Sequence, residues 1–315
     1  MTADAGNSAF PHSTPDGAIP RSEIPHSVGV IGGGRMGAGI AHAFLMAGAE
    51  VAIVERDDEA AAAGWERTMA SVDRTLERSG AAEPRTHYGD RLTVATDAAV
   101  FSGCALVVEA VPEDAELKSA ALLRAEAAMD PSGWLASNTS SLSITELAVF
   151  LQRPERFIGL HFFNPVPVSE LIEIVVGEQT SLELVEHARA WSAAVGKTPI
   201  VVRDSPGLAS SRLGVALALE AIRMVEAGVA SPADIDTAME LGYRHPVGPL
   251  RVTDIVGLDV RLGIAEHLSK TLGDRFTPPQ LLRDLVARGD LGRKTGRGFY
   301  DWPGVAQMPA PTNER

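Results

Sequence analysis

The segment from Ser27 to Glu55, SVGVIGGGRMGAGIAHAFLMAGAEVAIVE, constrains this chain more tightly than any other. A short β-branched run, SVGVI, meets Gly32-x-Gly34-x-x-Gly37, which opens a helical pattern that ends at a second β-branched run, EVAIV. That order demands a tight turn, a backbone free of side chains, and a helix packed closely on its strand. It suits the pyrophosphate of a dinucleotide, because the first helical amides, those of Arg35 and Met36 included, point at the phosphate charge. Glu55 ends the second strand 18 residues beyond Gly37, where a carboxylate can accept hydrogen bonds from an adenosine ribose. The same carboxylate would repel a 2′-phosphate, so NAD is expected over NADP. Arg56 opens the opposite possibility, against its plainer reading as a solvated surface charge.

The cadence begun there continues. Apolar runs at RLTVA, CALVVEA, GWLAS, RFIGLH, ELIEIVV and PIVV alternate with helical stretches as far as Val202, the pattern of a doubly wound α/β sheet. At RDSPG the pattern changes. Pro206 suits a first helical turn with Ser205 as its N-cap, and the chain beyond it reads as helix, beginning with a long one ended by Gly228. Ser231, Pro232 and Asp234 form a helix-start signature, and Thr277, Pro278 and Gln280 repeat it. A dinucleotide-binding domain over 27–204 and an all-α domain over 205–303 are expected, between a disordered tail at 1–26 and a second tail at 304–315. At 315 residues and 45% hydrophobic content the chain can bury two cores.

The formal charge of −13 repels a polyanion, so nucleic acid is not an expected partner. Cys104, the single cysteine, sits in an apolar run and reads as a buried hydrophobe; without disulfides the chain fits a reducing cytoplasm. The N-terminal stretch lacks the apolar core of a secretory signal, and no apolar run approaches the roughly 18 residues of a membrane span.

GLHFFNPVPVSELIEIV, from Gly159 to Val175, carries the chemistry. RFIGL reads as a strand of the sheet, and ligands bind beyond the carboxyl ends of such strands, so His161 falls at the mouth. FFNPVP must loop, and ELIEIV returns as a strand on which Glu170 and Glu173 face opposite ways; only one can turn back to His161. A histidine oriented by a carboxylate moves a proton off an alcohol while hydride leaves its carbon.

GVIGGGRMGAGIA, VVEAVPED, SNTSSLSIT, GLHFFNPVPV, EAIRMVEAGVASPADIDTAMELG, HPVGPLRVTDIVGLD and LGRKTGRGFYDW together resemble the L-3-hydroxyacyl-CoA dehydrogenase family, on the side of the bacterial 3-hydroxybutyryl-CoA dehydrogenases. The resemblance runs from about Val28 to Trp302. It implies a Rossmann-type NAD domain, a helical C-terminal domain through which the chain forms a homodimer, and NAD-linked interconversion of a 3-hydroxyacyl-CoA and a 3-oxoacyl-CoA. Residue by residue, it makes His161 the catalytic histidine, Glu173 its orienting glutamate and Ser140 a substrate-binding serine, with Glu170 a surface charge. It places Asn164 by the nicotinamide, Glu113 and Lys118 against the cofactor, Ser71 and Arg78 against CoA, and Lys294 near the cofactor. The family's asparagine in PGF-x-x-N-R is replaced here by Ser211, a shorter side chain with a single hydroxyl. Acyl carrier protein or a free hydroxy acid could replace the CoA thioester without changing the proton-transfer residues. A dinucleotide-binding protein without turnover would be expected to have lost His161 or Glu173, and both are present.

Overall fold

The computed structural model describes residues 24–79 and 83–303; of the tails expected at 1–26 and 304–315, residues 1–23 and 304–315 lie outside the described residues. The described chain is already packed ahead of the first strand, with Ile24 against the core and the His26 carbonyl accepting the Glu50 N–H at 2.8 Å. Eight strands form one sheet: β1 (Ser27–Ile31), β2 (Glu50–Val54), β3 (Leu92–Ala95), β4 (Leu106–Glu109), β5 (Trp134–Ser137), β6 (Phe157–Phe162), β7 (Leu171–Val176) and β8 (Thr198–Arg203). Helices α1 (Arg35–Ala47), α2 (Asp58–Ser79), α3 (Arg85–Gly89), α4 (Ala115–Ala128), α5 (Ile144–Ala148) and α6 (Leu182–Ala194) lie between them. After the last strand come α7 (Ser210–Glu226), α8 (Pro232–Gly242), α9 (Pro249–Val256), α10 (Leu258–Leu272) and α11 (Gln280–Ala287).

The strand order is β3-β2-β1-β4-β5-β6-β7-β8. Every pairing is parallel except that of β6 with β7. Because β1 has β2 on one side and β4 on the other, the crossovers reverse direction there, and a crevice opens at the carboxyl ends of those strands. The sheet buries one cluster on each face, around Val30, Ile40 and Phe44 on one and around Phe101, Leu122 and Phe157 on the other. A third cluster, around Leu219, Leu250, Leu258 and Leu268, belongs to the helices after β8.

The glycine turn is shaped by two positions. Gly32 has φ +91°, a left-handed conformation that a side chain disfavours, and a Cβ on Gly37 would sit 1.7 Å from the Gly32 carbonyl oxygen. Helix α1 therefore starts against the turn itself, and its buried side carries Ile40, Ala41, Phe44 and Leu45 onto the sheet.

Two expected helix starts fall elsewhere. Helix α7 begins at Ser210 and not under a Ser205 cap, because Gly207 (φ +76°) and Leu208 (φ +51°) are left-handed and the Ser205 carbonyl closes a turn on the Leu208 N–H. The Ser205 hydroxyl instead accepts a hydrogen bond from Arg212. Helix α11 begins at Gln280 without a Thr277 cap, because the following Pro279 is extended. The amide of Leu281 is satisfied by Glu226 of α7 at 2.8 Å, while the Thr277 hydroxyl pairs with Ser269. Ser231 caps α8 as its sequence indicates.

The segment after α11 is fastened by acids. Buried Asp254 accepts from the Phe299 and Tyr300 amides and the Trp302 ring N–H; Asp236 accepts from the Leu250 and Arg251 amides and the Tyr300 hydroxyl.

Substituting Gly37→Ala places a methyl against backbone that cannot yield. The expected result is a loss of about 1–3 kcal/mol of stability, typical of overpacking, with NADH affinity at least tenfold weaker. Denaturant unfolding and fluorescence titration with NADH measure the two.

Candidate active site

A cavity of about 1020 Å³ occupies the crevice, running from the glycine turn and Glu55 past Glu113 and Ser140 to His161 and Asn164. It is lined by residues beyond the carboxyl ends of β1, β2, β4, β5 and β6, where a doubly wound sheet receives its ligands.

At the glycine end, α1 has no side-chain cap and no acid in its first turn, and a Cβ on Gly34 would meet nothing within 4 Å. Open space in front of uncapped helix amides fits a pyrophosphate. Glu55 lies on the cavity wall and accepts the Gly33 N–H at 2.6 Å and the Arg56 N–H at 3.1 Å. The Arg56 guanidinium is 84% exposed and pairs with Asp57 at 2.9 Å. Arg67, which the sequence alone does not single out, reaches from α2 to the Gly33 carbonyl at 2.9 Å and also lines the cavity. Only the fold brings Arg67 to the turn, since 34 residues separate it from Gly33.

The middle of the cavity rests on a buried ionic cluster. Lys118 is 1% exposed, and its Nζ donates to Glu109 Oε1 at 2.8 Å, to Oε2 at 3.1 Å and to the Val111 carbonyl at 3.1 Å. Glu113 Oε2 lies 3.3 Å from the same ammonium. Its Oε1 accepts from the Thr139 hydroxyl at 2.6 Å, the Ser140 amide at 2.8 Å, and both the amide and hydroxyl of Ser141 at 2.9 Å. Burial pushes the Glu113 carboxyl up, but Lys118 and the Thr139, Ser141 and Ser140 donors outweigh it and hold it at about 2. The resemblance places Glu113 and Lys118 against the cofactor. In the structure both border the cavity, yet their charged atoms engage one another and the 139–141 turn, so they hold Ser140 on the wall.

At the far end, β6 and β7 pair antiparallel with His161 directly opposite Glu173, so both side chains share a face. His161 Nδ1 lies 2.8 Å from Glu173 Oε2, with His161 7% and Glu173 0% exposed. Glu170 precedes β7 and is exposed, and its carbonyl accepts the Thr198 amide. The register therefore decides between the two glutamates.

Glu173 also accepts from the Ser210 hydroxyl at 2.8 Å, the Ser210 amide at 2.9 Å and the Ala209 amide at 3.2 Å. Burial would raise its pKa, but the bonds from His161 and Ser210 outweigh burial and leave it below the usual carboxylate range. An ionised carboxylate only accepts, so His161 Nδ1 carries the proton between them and Nε2 is left to exchange one. The Phe163 ring packs 4.4 Å from the imidazole, centroid to centroid. Asn138 Oδ1 accepts the Phe162 N–H at 2.8 Å and ties the end of β5 to that of β6. Asn138 is visible in SNTSS, but only the adjacency of β5 and β6 reveals its task.

Ser140 and Asn164 are both exposed on the cavity wall near His161. Other expected residues are not brought there. Ser71 is buried on α2 and accepts from Arg74, and Arg78 is exposed in the last turn of that helix; neither lines the cavity. Lys294 is held by Asp259 at 2.6 Å, away from the cavity lining. Ser211 neither lines the cavity nor has a hydrogen-bond partner for its hydroxyl among the described residues; its neighbour Ser210 is the one that meets Glu173. Among the described residues no cluster of three or more His, Cys, Asp or Glu could hold a metal, and no helix is long and apolar enough to cross a membrane.

The model of the NAD binding domain of 3-hydroxyacyl-CoA dehydrogenase matches residues 27–205, and that of its C-terminal domain matches residues 207–302. The 3-hydroxybutyryl-CoA dehydrogenase of Mycobacterium tuberculosis is 40% identical over 285 residues, 89% of this chain and 100% of that protein. The mitochondrial hydroxyacyl-coenzyme A dehydrogenase of Sus scrofa is 39% identical over 286 residues, 87% of this chain and 90% of that protein. The crystal structure of (S)-3-hydroxybutyryl-CoA dehydrogenase from Ralstonia eutropha superposes with a TM-score of 0.84 at 39% identity, covering 88% of this chain and 99% of the other.

The Glu113 cluster has a defined pH signature. Its folded pKa of about 2 lies below the ordinary value of 4.5, so the stabilisation it provides is complete above pH 4.5 and is lost as pH falls toward 2. Glu113→Gln should lower stability at pH 7 by about 1–3 kcal/mol, because one acceptor is replaced by an amide donor facing Lys118. The variant's stability should then change less than the wild type's between those pH values, as read by chemical denaturation across pH.

Proposed function

The chain belongs to the 3-hydroxyacyl-CoA dehydrogenase family, and from that membership we propose that His161, oriented by Glu173, is the general acid and base of its reaction. The protein is an NAD-dependent oxidoreductase that interconverts 3-hydroxyacyl-CoA and 3-oxoacyl-CoA. The observation that carries the residue assignment is the buried 2.8 Å pair of His161 and Glu173 at the cavity end opposite the glycine turn.

In the oxidative direction, NAD held along the glycine turn would supply the hydride acceptor for C3 of the substrate. His161 Nε2 takes the proton of the 3-hydroxyl, so the carbon–oxygen single bond becomes a carbonyl without leaving an alkoxide behind. Glu173 keeps Nδ1 protonated beforehand and neutralises the imidazolium afterwards. In reduction the imidazolium returns that proton to the forming alkoxide. Ser140 and Asn164, on the wall beside His161, offer hydrogen bonds to the substrate oxygen. The glycine-turn amides would hold the pyrophosphate of NAD and Glu55 its adenosine ribose.

The acyl group is a short chain of the 3-hydroxybutyryl type carried on CoA, the substrate in the names of several relatives. The protein acts as a homodimer through its helical domain. Large apolar side chains stand exposed on α7, α8 and α10 and just beyond α8: Leu213 (70%), Leu241 (79%), Val260 and Tyr243 (76%). Apolar exposure of that extent usually marks an interface. A cytoplasmic location agrees with a single, buried, unpaired cysteine.

Mixing the protein with NADH and acetoacetyl-CoA should consume NADH; tight NADH binding without consumption would overturn the enzymatic reading, and faster turnover of an acyl-carrier-protein thioester would change the carrier. His161→Gln should leave NADH affinity nearly intact while turnover falls by roughly 10²–10⁴, the usual worth of a positioned acid or base. Glu173→Gln should lose turnover similarly and also destabilise the fold, since it weakens the cap on α7. The double variant should be little worse than the worse single one, because the pair acts as a unit. Light scattering should give twice the 33.2 kDa chain mass, and Tyr243→Glu with Leu241→Glu should shift it toward one.

A further inference from the structure

Lys197 is a buried charge that the proton-transfer chemistry does not use. It follows Gly196, which is left-handed at φ +76°, in the turn between α6 and β8, and it is 9% exposed. Its ammonium forms no ion pair with a carboxylate among the described residues; it donates to the carbonyls of Val166 at 2.7 Å and Ser169 at 2.5 Å. Both acceptors belong to the loop at 163–170 that leaves β6 two residues after His161 and carries Phe163 and Asn164 onto the cavity wall.

The same loop is seated from the opposite side. Val166 is 2% exposed and packs so closely on Gly39 of α1 that a Cβ there would lie 2.8 Å from the valine. The next residue after the lysine, Thr198, donates its amide to the Glu170 carbonyl at 2.6 Å, and β8 then pairs with β7 so that Ile200 stands beside Glu173. The loop is thus held between α1 and the start of β8, the strand paired with the one that carries the orienting glutamate. A buried ammonium bonded only to neutral carbonyls is a poor way to gain stability, because an apolar side chain of similar length avoids its desolvation. What the ammonium supplies and an apolar chain cannot is a fixed distance to two carbonyls at once.

We propose that Lys197 is a positioning residue for the reaction: by tying Val166 and Ser169 it sets where the loop presents Asn164 relative to His161. It touches neither substrate nor cofactor. The inference rests on the reading of His161 and Asn164 given above, but its test is separate, because His161→Gln probes the acid and base whether or not Lys197 matters.

Lys197→Met keeps the length and removes the donors. Turnover of acetoacetyl-CoA should fall about 10- to 100-fold, the scale on which a displacement of about 1 Å lowers rate, with the NADH dissociation constant within about twofold of wild type. Lys197→Gln, which retains two donors on a shorter arm, should recover part of the loss, and it supplies the same readings if the methionine variant does not fold. Combined with Asn164→Ala, Lys197→Met should add little to the loss from Asn164→Ala alone, since both changes remove one placement. Full turnover in Lys197→Met, losses that multiply in the double variant, or a variant that loses stability and NADH affinity while keeping turnover at saturation would each overturn the proposal.

Discussion

The side chain on which both halves of the molecule depend is Glu173. It is wholly buried, yet it is ionised, because four donors converge on it: the His161 ring, the Ser210 hydroxyl, and the first amides of α7. Those amides are ones that a helix cannot satisfy internally, and the partial positive charge at a helix N-terminus favours an anion there. One carboxylate therefore closes the end of a helix in the C-terminal part and selects the imidazole tautomer in the sheet domain. Neither effect needs the other's residues to be near in sequence. The 6–7 strand pairing brings His161 opposite Glu173, and the left-handed backbone at Gly207 and Leu208 turns the start of α7 toward it.

The same device recurs at other turns, although the loop at 163–170 is held by donors from Lys197 and Thr198 instead. Glu55 accepts an amide of the glycine turn, Glu109 the amide of Val111, and Glu113 the amides of Ser140 and Ser141. Glu126 accepts those of Gln152 and Arg153, Asp236 those in the first turn of α9, and Asp254 those of the segment after α11. The net charge of −13 is thus not only a solvated surface: part of it lies inside, bonded to backbone N–H groups that would otherwise be orphaned. Hydrogen bonds to a charged acceptor are stronger than neutral ones, which suits loops that must keep a reactive geometry without a strand or helix of their own.

Legibility in the sequence depends on range. All eight strands are visible as short apolar runs, and the glycine turn as a motif, because each is specified by residues adjacent in the chain. Helix starts are less legible where tertiary contacts supply the cap: Ser205 and Thr277 have the right chemistry, but Glu173 and Glu226 reach the amides first. The choice between Glu170 and Glu173 is narrowed by strand alternation and decided only by register. Ser211 stands out in sequence as the departure from the family, yet the contact belongs one residue earlier, to the hydroxyl of Ser210. The tasks of Arg67, Asn138 and Lys197 leave no local signal, since their partners lie 24 to 34 residues off.

These placements bear on how the His161–Glu173 pair relates to Ser211. If the residue at 211 had to stabilise the imidazolium, replacing an asparagine by a shorter serine would weaken the reaction directly. In the structure the His161 ring is met by Glu173, and Glu173 is held by Ser210 and two backbone amides, none of which depends on the identity of the side chain at 211. The amides are furnished by the position of α7, and that position is fixed by the packing of Leu208 into the core beneath the sheet. Variation at 211 is thereby separated from the His161–Glu173 pair, whose geometry rests on the backbone at the start of α7 and on one carboxylate.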